Sequence, residues 1–178
     1  ILSYRDKGCR PVIICPSLIY GQGLGAGPAS VQVPLLIRLA KKRGNAAHAG
    51  PGDNIWSNVH IDDLVTLYRR ARALIAPSSY EGFGLPPLEA MALGTPVIAA
   101  RASSLTEVGG DAAVYVGPDD DAALATEIRR VLDDDAHHAA LRAASVAQSH
   151  RFSWEETARG TLAAFDDAIA LARTEATR

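Results

Sequence analysis

Short apolar runs alternate with helix-periodic stretches along the chain, and this alternation indicates the fold class. Four runs rich in Val, Ile and Ala lie at 11–16, 73–77, 96–100 and 113–117. A run that is apolar at nearly every position is typical of a parallel strand that is covered on both faces. We therefore predict four main parallel strands at these positions, with a further strand candidate at 56–61.

The stretches between the runs carry the signals of helices. Helices are predicted at about 30–44, 62–72, 86–94, 103–110 and 119–135, followed by two more towards the C-terminus. Serines are expected to cap the helix at 103–110, and Ser153 with Glu156 forms a capping-box pattern before the last helix. Strands that alternate with helices predict right-handed βαβ units. The expected fold is α/β: a single Rossmann-like three-layer sandwich, with a mainly parallel sheet of about four strands and helices on both faces.

Composition and charge narrow the function classes. The 178 residues carry a formal net charge of −2 and are 48% hydrophobic. This balance gives no basic field for nucleic acid, and no apolar run approaches the length that spans a membrane, so neither is expected as a partner. Two cysteines do not make a disulfide framework, which favours a cytoplasmic location. The histidines show no metal-ligand spacing, so no metal is expected; His137 and His138 are predicted to lie on a solvated surface.

The front of the chain has two recognisable segments, "RPVIICPSLIYGQGLG" and "GPGDNIWSNVHIDDLVTLY". Together they resemble the C-terminal part of extended short-chain dehydrogenases/reductases of the NAD-dependent epimerase/dehydratase type, over residues 1–68. The resemblance implies a nicotinamide-side loop at Pro16, Ser17 and Tyr20. The glycine-rich pyrophosphate turn and the Tyr-x-x-x-Lys pair of that family are not in this sequence, so the loop is expected to be vestigial and no cofactor is expected.

The back of the chain reads "ALIAPSSYEGFGLPPLEAMALGTPVIAARASSLTEVGGDAAVYVGPDD". Gly82 and Gly84 permit positive φ and expose N–H groups, and Pro86 can open a helix whose N-terminus favours anions. The segment resembles the nucleotide-sugar half of retaining family-4 glycosyltransferases, which have the B-type fold, over residues 65–170. The resemblance implies that Glu89 accepts hydrogen bonds from ribose and Glu81 from sugar. The candidate binding residues are Glu81, Gly82, Phe83, Gly84, Leu85 and Glu89. A strand–turn–helix joint in which a Glu merely complements the helix dipole is the alternative.

Two parts that the glycosyltransferase resemblance implies are missing, an acceptor-binding domain and a pair of cations, and this argues against a complete active site. The resemblance implies an Arg and a Lys on earlier strands that neutralise the diphosphate, and those strands are absent here. Losing two charge-assisted hydrogen bonds weakens binding by about two to four decades. Arg69, Arg70 and Arg72 lie on a predicted helix and are expected to hold their charged groups in water.

The two resemblances meet in the helix after His60, which suits both families. We expect a single domain over 1–178, made of a reductase-derived fragment (1–68) and a glycosyltransferase-derived fragment (69–178) that share the core positions Leu64, Leu67 and Ala71. The absence of an initial Met favours an engineered chimera, a fragment-recombination protein without catalytic residues. The alternatives are a residual module that weakly binds a nucleoside diphosphate or nucleotide sugar, and a glycosyltransferase that borrows an acceptor domain. The expected assembly is a monomer, or a homodimer through an edge strand.

Overall fold

The computed structural model describes residues 18–20, 38–39, 41–44 and 58–175. The chain divides into two compact units, Ile1–Leu67 and Tyr68–Arg178. In the first unit, β1 (Leu18–Tyr20) pairs in parallel with β2 (Asn58–His60). The strand predicted at 11–16 lies outside the described residues, whereas the candidate at 56–61 is confirmed as β2.

Helix α1 (Ile61–Arg70) begins directly after β2, with acidic residues in its first turn and arginines in its last. These charges complement the helix dipole. Of the expected core positions, Leu64 is buried and Leu67 is half-buried, but Ala71 is exposed, so the prediction for Ala71 is wrong. The apolar stripe instead continues through Tyr68, which lies one turn after Leu64 and is 7% exposed.

A three-stranded parallel sheet forms the centre of the second unit. It consists of β3 (Leu74–Ala76), β4 (Val97–Ala100) and β5 (Val114–Val116), with β4 in the middle. All four residues of β4 are buried, as a continuous apolar run predicts for a central parallel strand. Three of the four main strands are therefore confirmed, and the unit is a Rossmann-like α/β fold.

Five helices follow these strands: α2 (Leu85–Ala92), α3 (Leu105–Gly109), α4 (Asp121–Asp133), α5 (Asp135–Ser149) and α6 (Trp154–Glu175). The 3₁₀ turn Gly110–Ala112 connects α3 to β5. Helix α4 packs on β4 and β5 through a core cluster of Ile98, Val116 and Val131. Helix α2 packs against α5 and on the strands β3 and β4.

Aspartates begin the two helices after β5. Asp120 accepts a hydrogen bond from the Ala123 N–H at 2.8 Å, and Asp134 accepts one from the His137 N–H at 2.8 Å. Each carboxylate satisfies a donor that the first helical turn leaves without a partner. The helix predicted at 119–135 is thereby confirmed as α4.

The start of α6 forms half of the predicted capping box. Ser153 Oγ accepts from the Glu156 N–H at 3.1 Å, but the Glu156 carboxylate pairs with Arg159 at 2.7 Å. Large apolar side chains of α6 are exposed, among them Leu162 at 63% and Phe165 at 61%. Among the helices described, none combines the length and the apolar character that crossing a membrane requires.

Two side chains that were expected in water form hydrogen bonds within the protein, and a third is half-buried. Arg72 Nη2 donates to the carbonyl oxygens of Val131 and Leu132, at 3.1 and 3.2 Å, and to Asp135 Oδ1 at 2.8 Å. A guanidinium is well placed there because the last carbonyls of a helix lack intrahelical donors. His138 Nε2 forms a hydrogen bond with the Arg72 carbonyl at 3.1 Å, and His137 is half-buried. The surface predictions for Arg72 and the two histidines are therefore wrong.

Candidate functional site

The glycine-containing loop lies at the carboxyl end of β3, between Ala76 and α2. The next strand, β4, runs parallel to β3, so the loop that follows Ala100 emerges at the same edge of the sheet. In open α/β sheets this edge is where ligands bind. The candidate site predicted from the sequence therefore lies where the fold class places binding sites.

Gly84 fixes the turn into α2. Its φ is 103°, in the left-handed region that favours glycine, and its carbonyl accepts the first helical bond from Leu88 N–H at 3.2 Å. A Cβ at Gly84 would lie 3.2 Å from Leu105 Cδ2. Both the backbone angle and the close approach of Leu105 require a residue without a side chain.

Four consecutive N–H groups in this loop, from Gly82 to Leu85, have no acceptor in the described part of the chain. The next two residues, Pro86 and Pro87, have no N–H at all. The first turn of α2 therefore offers an anion only the Leu85 N–H, in contrast to the several helix amides that a first turn usually presents. The donors of this site come mainly from the loop.

The loop after β4 holds the backbone of Glu81. Ser103 Oγ donates to the Glu81 carbonyl at 2.7 Å and accepts from the Glu81 N–H at 3.4 Å. Ser104 Oγ donates to the same carbonyl at 2.9 Å. The prediction that serine side chains cap α3 is wrong, because Ser104 precedes the helix without a side-chain cap bond and is used for this contact. Within residues 58–175, the Glu81 carboxylate forms no hydrogen bond or ion pair, so it remains open to a ligand.

Glu89 lies on α2 and is paired with a tyrosine, Tyr68, that was not predicted to belong to the site. Tyr68 Oη donates to Glu89 Oε2 at 3.3 Å. Partial removal from water raises the pKa of the Glu89 carboxyl, although its residue surface is still exposed, and the bond from Tyr68 opposes this rise. Burial, together with the nearby charge of Glu89, raises the pKa of Tyr68 to about 12. The buried Thr95 hydroxyl donates to the Tyr68 carbonyl at 2.6 Å and fixes this end of α1.

The other loop residues present apolar surface. Phe83 is 44% exposed and contacts the Phe152 ring edge-to-face, with centroids 6.0 Å apart. Leu85 is 49% exposed at the start of α2. Phe83 therefore anchors the tip of the loop to the segment before α6 while its neighbouring N–H groups remain available.

One cation that was not predicted as a site residue, Arg101, lies at this edge of the sheet. Arg101 follows β4, and its guanidinium carbon is 5.0 Å from the centre of the Tyr115 ring. The Tyr115 hydroxyl donates to the Leu105 carbonyl at 3.1 Å. Burial raises the pKa of Tyr115, and the charge of Arg101 opposes this rise. Arg101 could have been predicted from its position directly after a parallel strand, because ligands bind at the carboxyl ends of the strands in such sheets.

The reductase-type loop is only partly described. Pro16 and Ser17 lie outside the described residues, and Tyr20 ends β1. The three positions are therefore not shown to form a site. In the part of the chain that the structure describes, no group of three or more His, Cys, Asp or Glu could hold a metal ion.

Comparison with known proteins defines the class and then the family. The fold matches sucrose-phosphate synthase from Thermosynechococcus elongatus with a TM-score of 0.55 and 26% identity, over 86% of this chain and 38% of that one. It also matches Anabaena HepE in complex with UDP and glucose, with a TM-score of 0.53 and 24% identity, over 74% of this chain and 36% of that one. The class is therefore a Rossmann-like α/β domain of the kind found in glycosyltransferases. The family model for glycosyl transferases group 1 matches residues 37–148, and the chain belongs to this family.

Two curated relatives extend this result. O-antigen chain mannosyltransferase B of Escherichia coli is 43% identical over 104 residues, which are 58% of this chain and 27% of that protein. D-inositol 3-phosphate glycosyltransferase of Nocardioides sp. is 37% identical over 162 residues, 89% of this chain and 33% of that protein. The chain thus spans about a quarter to a third of the length of these relatives. The resemblance of the back part to glycosyltransferases is confirmed.

Proposed function

We propose that the unit Tyr68–Arg178 binds a nucleoside diphosphate sugar, as the donor-binding part of a retaining glycosyltransferase. The observation that carries this proposal is the row of unpaired N–H groups from Gly82 to Leu85, flanked by the carboxylates of Glu81 and Glu89. Consecutive N–H groups in a turn suit phosphate oxygens, and carboxylates suit the hydroxyls of sugars. The HepE structures, which contain UDP or UDP-glucose, support the same ligand class.

The two carboxylates are proposed to have different partners. Glu89 is placed on a helix and oriented by Tyr68, which suits a fixed contact to the ribose hydroxyls. Glu81 is held through its backbone by Ser103 and Ser104, which leaves its side chain for the hydroxyls of the donor sugar. The diphosphate lies between them on the loop N–H groups. A glycosyl transfer would also need a site that binds the acceptor. We assign this site to a region of the relatives that this chain does not span, or to a partner chain.

The affinity is expected to be weak for this chain alone. From the sequence we expect the two cations that the resemblance implies on earlier strands to be missing, and losing two charge-assisted hydrogen bonds costs about two to four decades of affinity. We therefore expect dissociation constants near the millimolar range for UDP, GDP or ADP. Calorimetric titration of the full chain with each nucleotide tests the proposal.

A matched pair of variants makes this test specific. Glu89→Ala removes the ribose contact and is expected to abolish measurable heat, whereas Glu155→Ala removes an exposed carboxylate of α6 and is expected to change nothing. Absence of heat from the wild-type chain at millimolar nucleotide would reject the proposal. Equal binding by both variants would reject the role of Glu89.

An engineered chimera without a complete active site is the less supported proposal. It depends on the resemblance of residues 1–68 to reductases, but the glycosyltransferase family model already takes in residues 37–68 of that segment. Only residues 1–36 then remain as support for a reductase-derived fragment. An assay for release of UDP from UDP-glucose, or of GDP from GDP-mannose, tests it, because a measurable rate of transfer or hydrolysis would exclude the absence of an active site.

A further inference from the structure

Ser103 has an unusual backbone conformation. Its φ is 51°, and it is the one residue other than glycine with a positive φ in the described part of the chain. An L side chain rarely adopts this region, because its Cβ approaches the following carbonyl oxygen. Such residues persist where the surrounding structure gains from the side chain, and they are frequent at ligand sites.

The side chain of Ser103 makes contacts that a glycine could not make. Its hydroxyl donates to the carbonyl of Glu81 at 2.7 Å and accepts from the N–H of the same residue at 3.4 Å. One hydroxyl thus bridges both polar groups of a single residue, 22 positions away in the sequence. Thr106 Oγ1 donates to the Ser103 carbonyl at 3.1 Å and holds the turn from the other side. Ser104 adds a second donor to the Glu81 carbonyl, but it does not contact the Glu81 N–H.

This arrangement fixes the orientation of Glu81, the residue directly before the row of loop N–H groups. Rotation of the Glu81 backbone would break both bonds to Ser103 together, so the direction of its Cα–Cβ bond is restrained. Glu89 is independent of this contact, because its position depends on α2 and on the bond from Tyr68. A change at Ser103 should therefore affect the sugar side of the site more than the ribose side.

We infer that Ser103 is a positioning residue for the donor sugar: its hydroxyl holds Glu81 in the orientation that contacts the sugar hydroxyls. This inference rests on the proposed nucleotide-sugar function and adds to it a residue that determines the preference for a sugar-bearing ligand. The left-handed backbone of Ser103 follows from this role, because the hydroxyl reaches both groups of Glu81 from that conformation.

The test compares Ser103→Gly with the wild-type chain. Glycine adopts a φ of 51° without steric conflict, so the variant keeps the backbone and loses only the hydroxyl. The affinities of the full chain for UDP and UDP-glucose, and for GDP and GDP-mannose, are measured by calorimetry. The preference is the affinity for the nucleotide sugar divided by the affinity for its bare nucleotide, taken for the pair that the wild-type chain binds more tightly. We expect this ratio to fall about tenfold, while the affinity for the bare nucleotide changes less than about twofold.

Ser104→Ala is the matched control, because it removes one hydroxyl from the same carbonyl but leaves both bonds of Ser103. Its preference is expected to change less than that of Ser103→Gly. Hydrogen exchange of the unliganded chain gives a second readout, and faster exchange of the Glu81 amide, which donates to Ser103 Oγ, is expected in Ser103→Gly alone. If Ser103→Gly retains the wild-type preference, the inference is wrong while the proposed function stands. Failure of the wild-type chain to bind any of the four ligands would instead reject the proposed function, and this inference with it.

Discussion

The bond between Tyr68 and Glu89 can be tested by removing a single oxygen atom. Tyr68→Phe keeps the ring, which is 7% exposed, and deletes the hydroxyl that donates to Glu89 Oε2 at 3.3 Å. No donor is left unsatisfied, because phenylalanine has none. The carboxylate of Glu89 can be hydrated in its place, since the residue surface is exposed.

The expected loss of stability is small. A hydrogen bond to a charged group contributes about 1.5–3 kcal/mol, but the length of this bond and the access of water to Glu89 reduce the figure to about 0.5–1 kcal/mol. For a chain of 178 residues, this corresponds to a decrease in Tm of about 1–4 °C. A larger loss would mean that Tyr68 supports the packing of α1 in a way that phenylalanine cannot reproduce.

The pH dependence gives the sharper test. The folded pKa of Glu89 is raised above its ordinary value of 4.5, so its contribution to stability is present below pH 4.5 and is lost as the pH rises through the folded pKa. The Tyr68 hydroxyl lowers that pKa, and its removal should raise the Glu89 pKa further and move this loss to higher pH. Tyr68 itself has a raised pKa, so its contribution is present below pH 10.0 and is lost as the pH rises through about 12; Tyr68→Phe should lack this loss.

Titration of the Glu89 side-chain carboxyl carbon by NMR measures the shift directly, and denaturant unfolding at several pH values measures its effect on the free energy of unfolding. Tyr115→Phe is the control, because the Tyr115 hydroxyl donates to the Leu105 carbonyl and should leave the Glu89 pKa unchanged. An unchanged or lowered Glu89 pKa in Tyr68→Phe would show that the bond does not form in solution, and the proposed orientation of Glu89 would then lose its support.

Three further predictions concern the fold. Ile98→Ala should lower the free energy of unfolding by about 2–5 kcal/mol because Ile98 is 0% exposed, whereas Phe165→Ala, at 61% exposure, should change it by less than about 0.5 kcal/mol; similar losses in urea unfolding would contradict the described core. Gly84→Ala should cost about 1–3 kcal/mol through its φ of 103° and the contact with Leu105, while Gly160→Ala, in open space on α6, should gain up to about 1 kcal/mol; thermal unfolding of both variants decides. Arg72→Lys should cost about 1–3 kcal/mol because the lysine ammonium ends a shorter side chain and cannot reach the three acceptors of Nη2 together, and wild-type stability of this variant would show that those bonds contribute little.

The elements of the second unit could be predicted because their signals are local. The run at 96–100 is apolar at every position, and it forms the central strand Val97–Ala100. Asp120 and Asp134 stand directly before the helices that they cap. Such patterns depend on neighbours within a few residues, so a single sequence contains them in full.

The contacts that shape the candidate site could not be predicted in the same way. Ser103 and Ser104 precede a helix, which is the usual place for a cap, but their hydroxyls bond to Glu81 across 22 and 23 positions. Which acceptor a hydroxyl finds depends on the approach of two loops, and no local pattern records it. Tyr68 is an intermediate case, because it follows Leu64 by four residues and the helical period alone places it on the buried face.

The sequence resembles two families in its front and back parts because the resemblances were carried by short motifs. The helix after His60 is compatible with both families at the level of pattern, and the segment before it carries short motifs that several α/β families can share. The family match from residue 37 onward depends on the whole length of the segment instead. Short motifs near a strand end therefore support a fold class better than they support an ancestry.

The two prolines at the start of α2 have a thermodynamic consequence for any ligand of the loop. Their rings hold φ near −65° before anything binds, so this turn has few alternative conformations to give up. The backbone entropy that these two positions would otherwise lose on association is thus already lost when the chain folds. Even a small number of hydrogen bonds at Gly82–Leu85 can then yield measurable affinity, because little of their free energy is consumed in ordering the start of the helix.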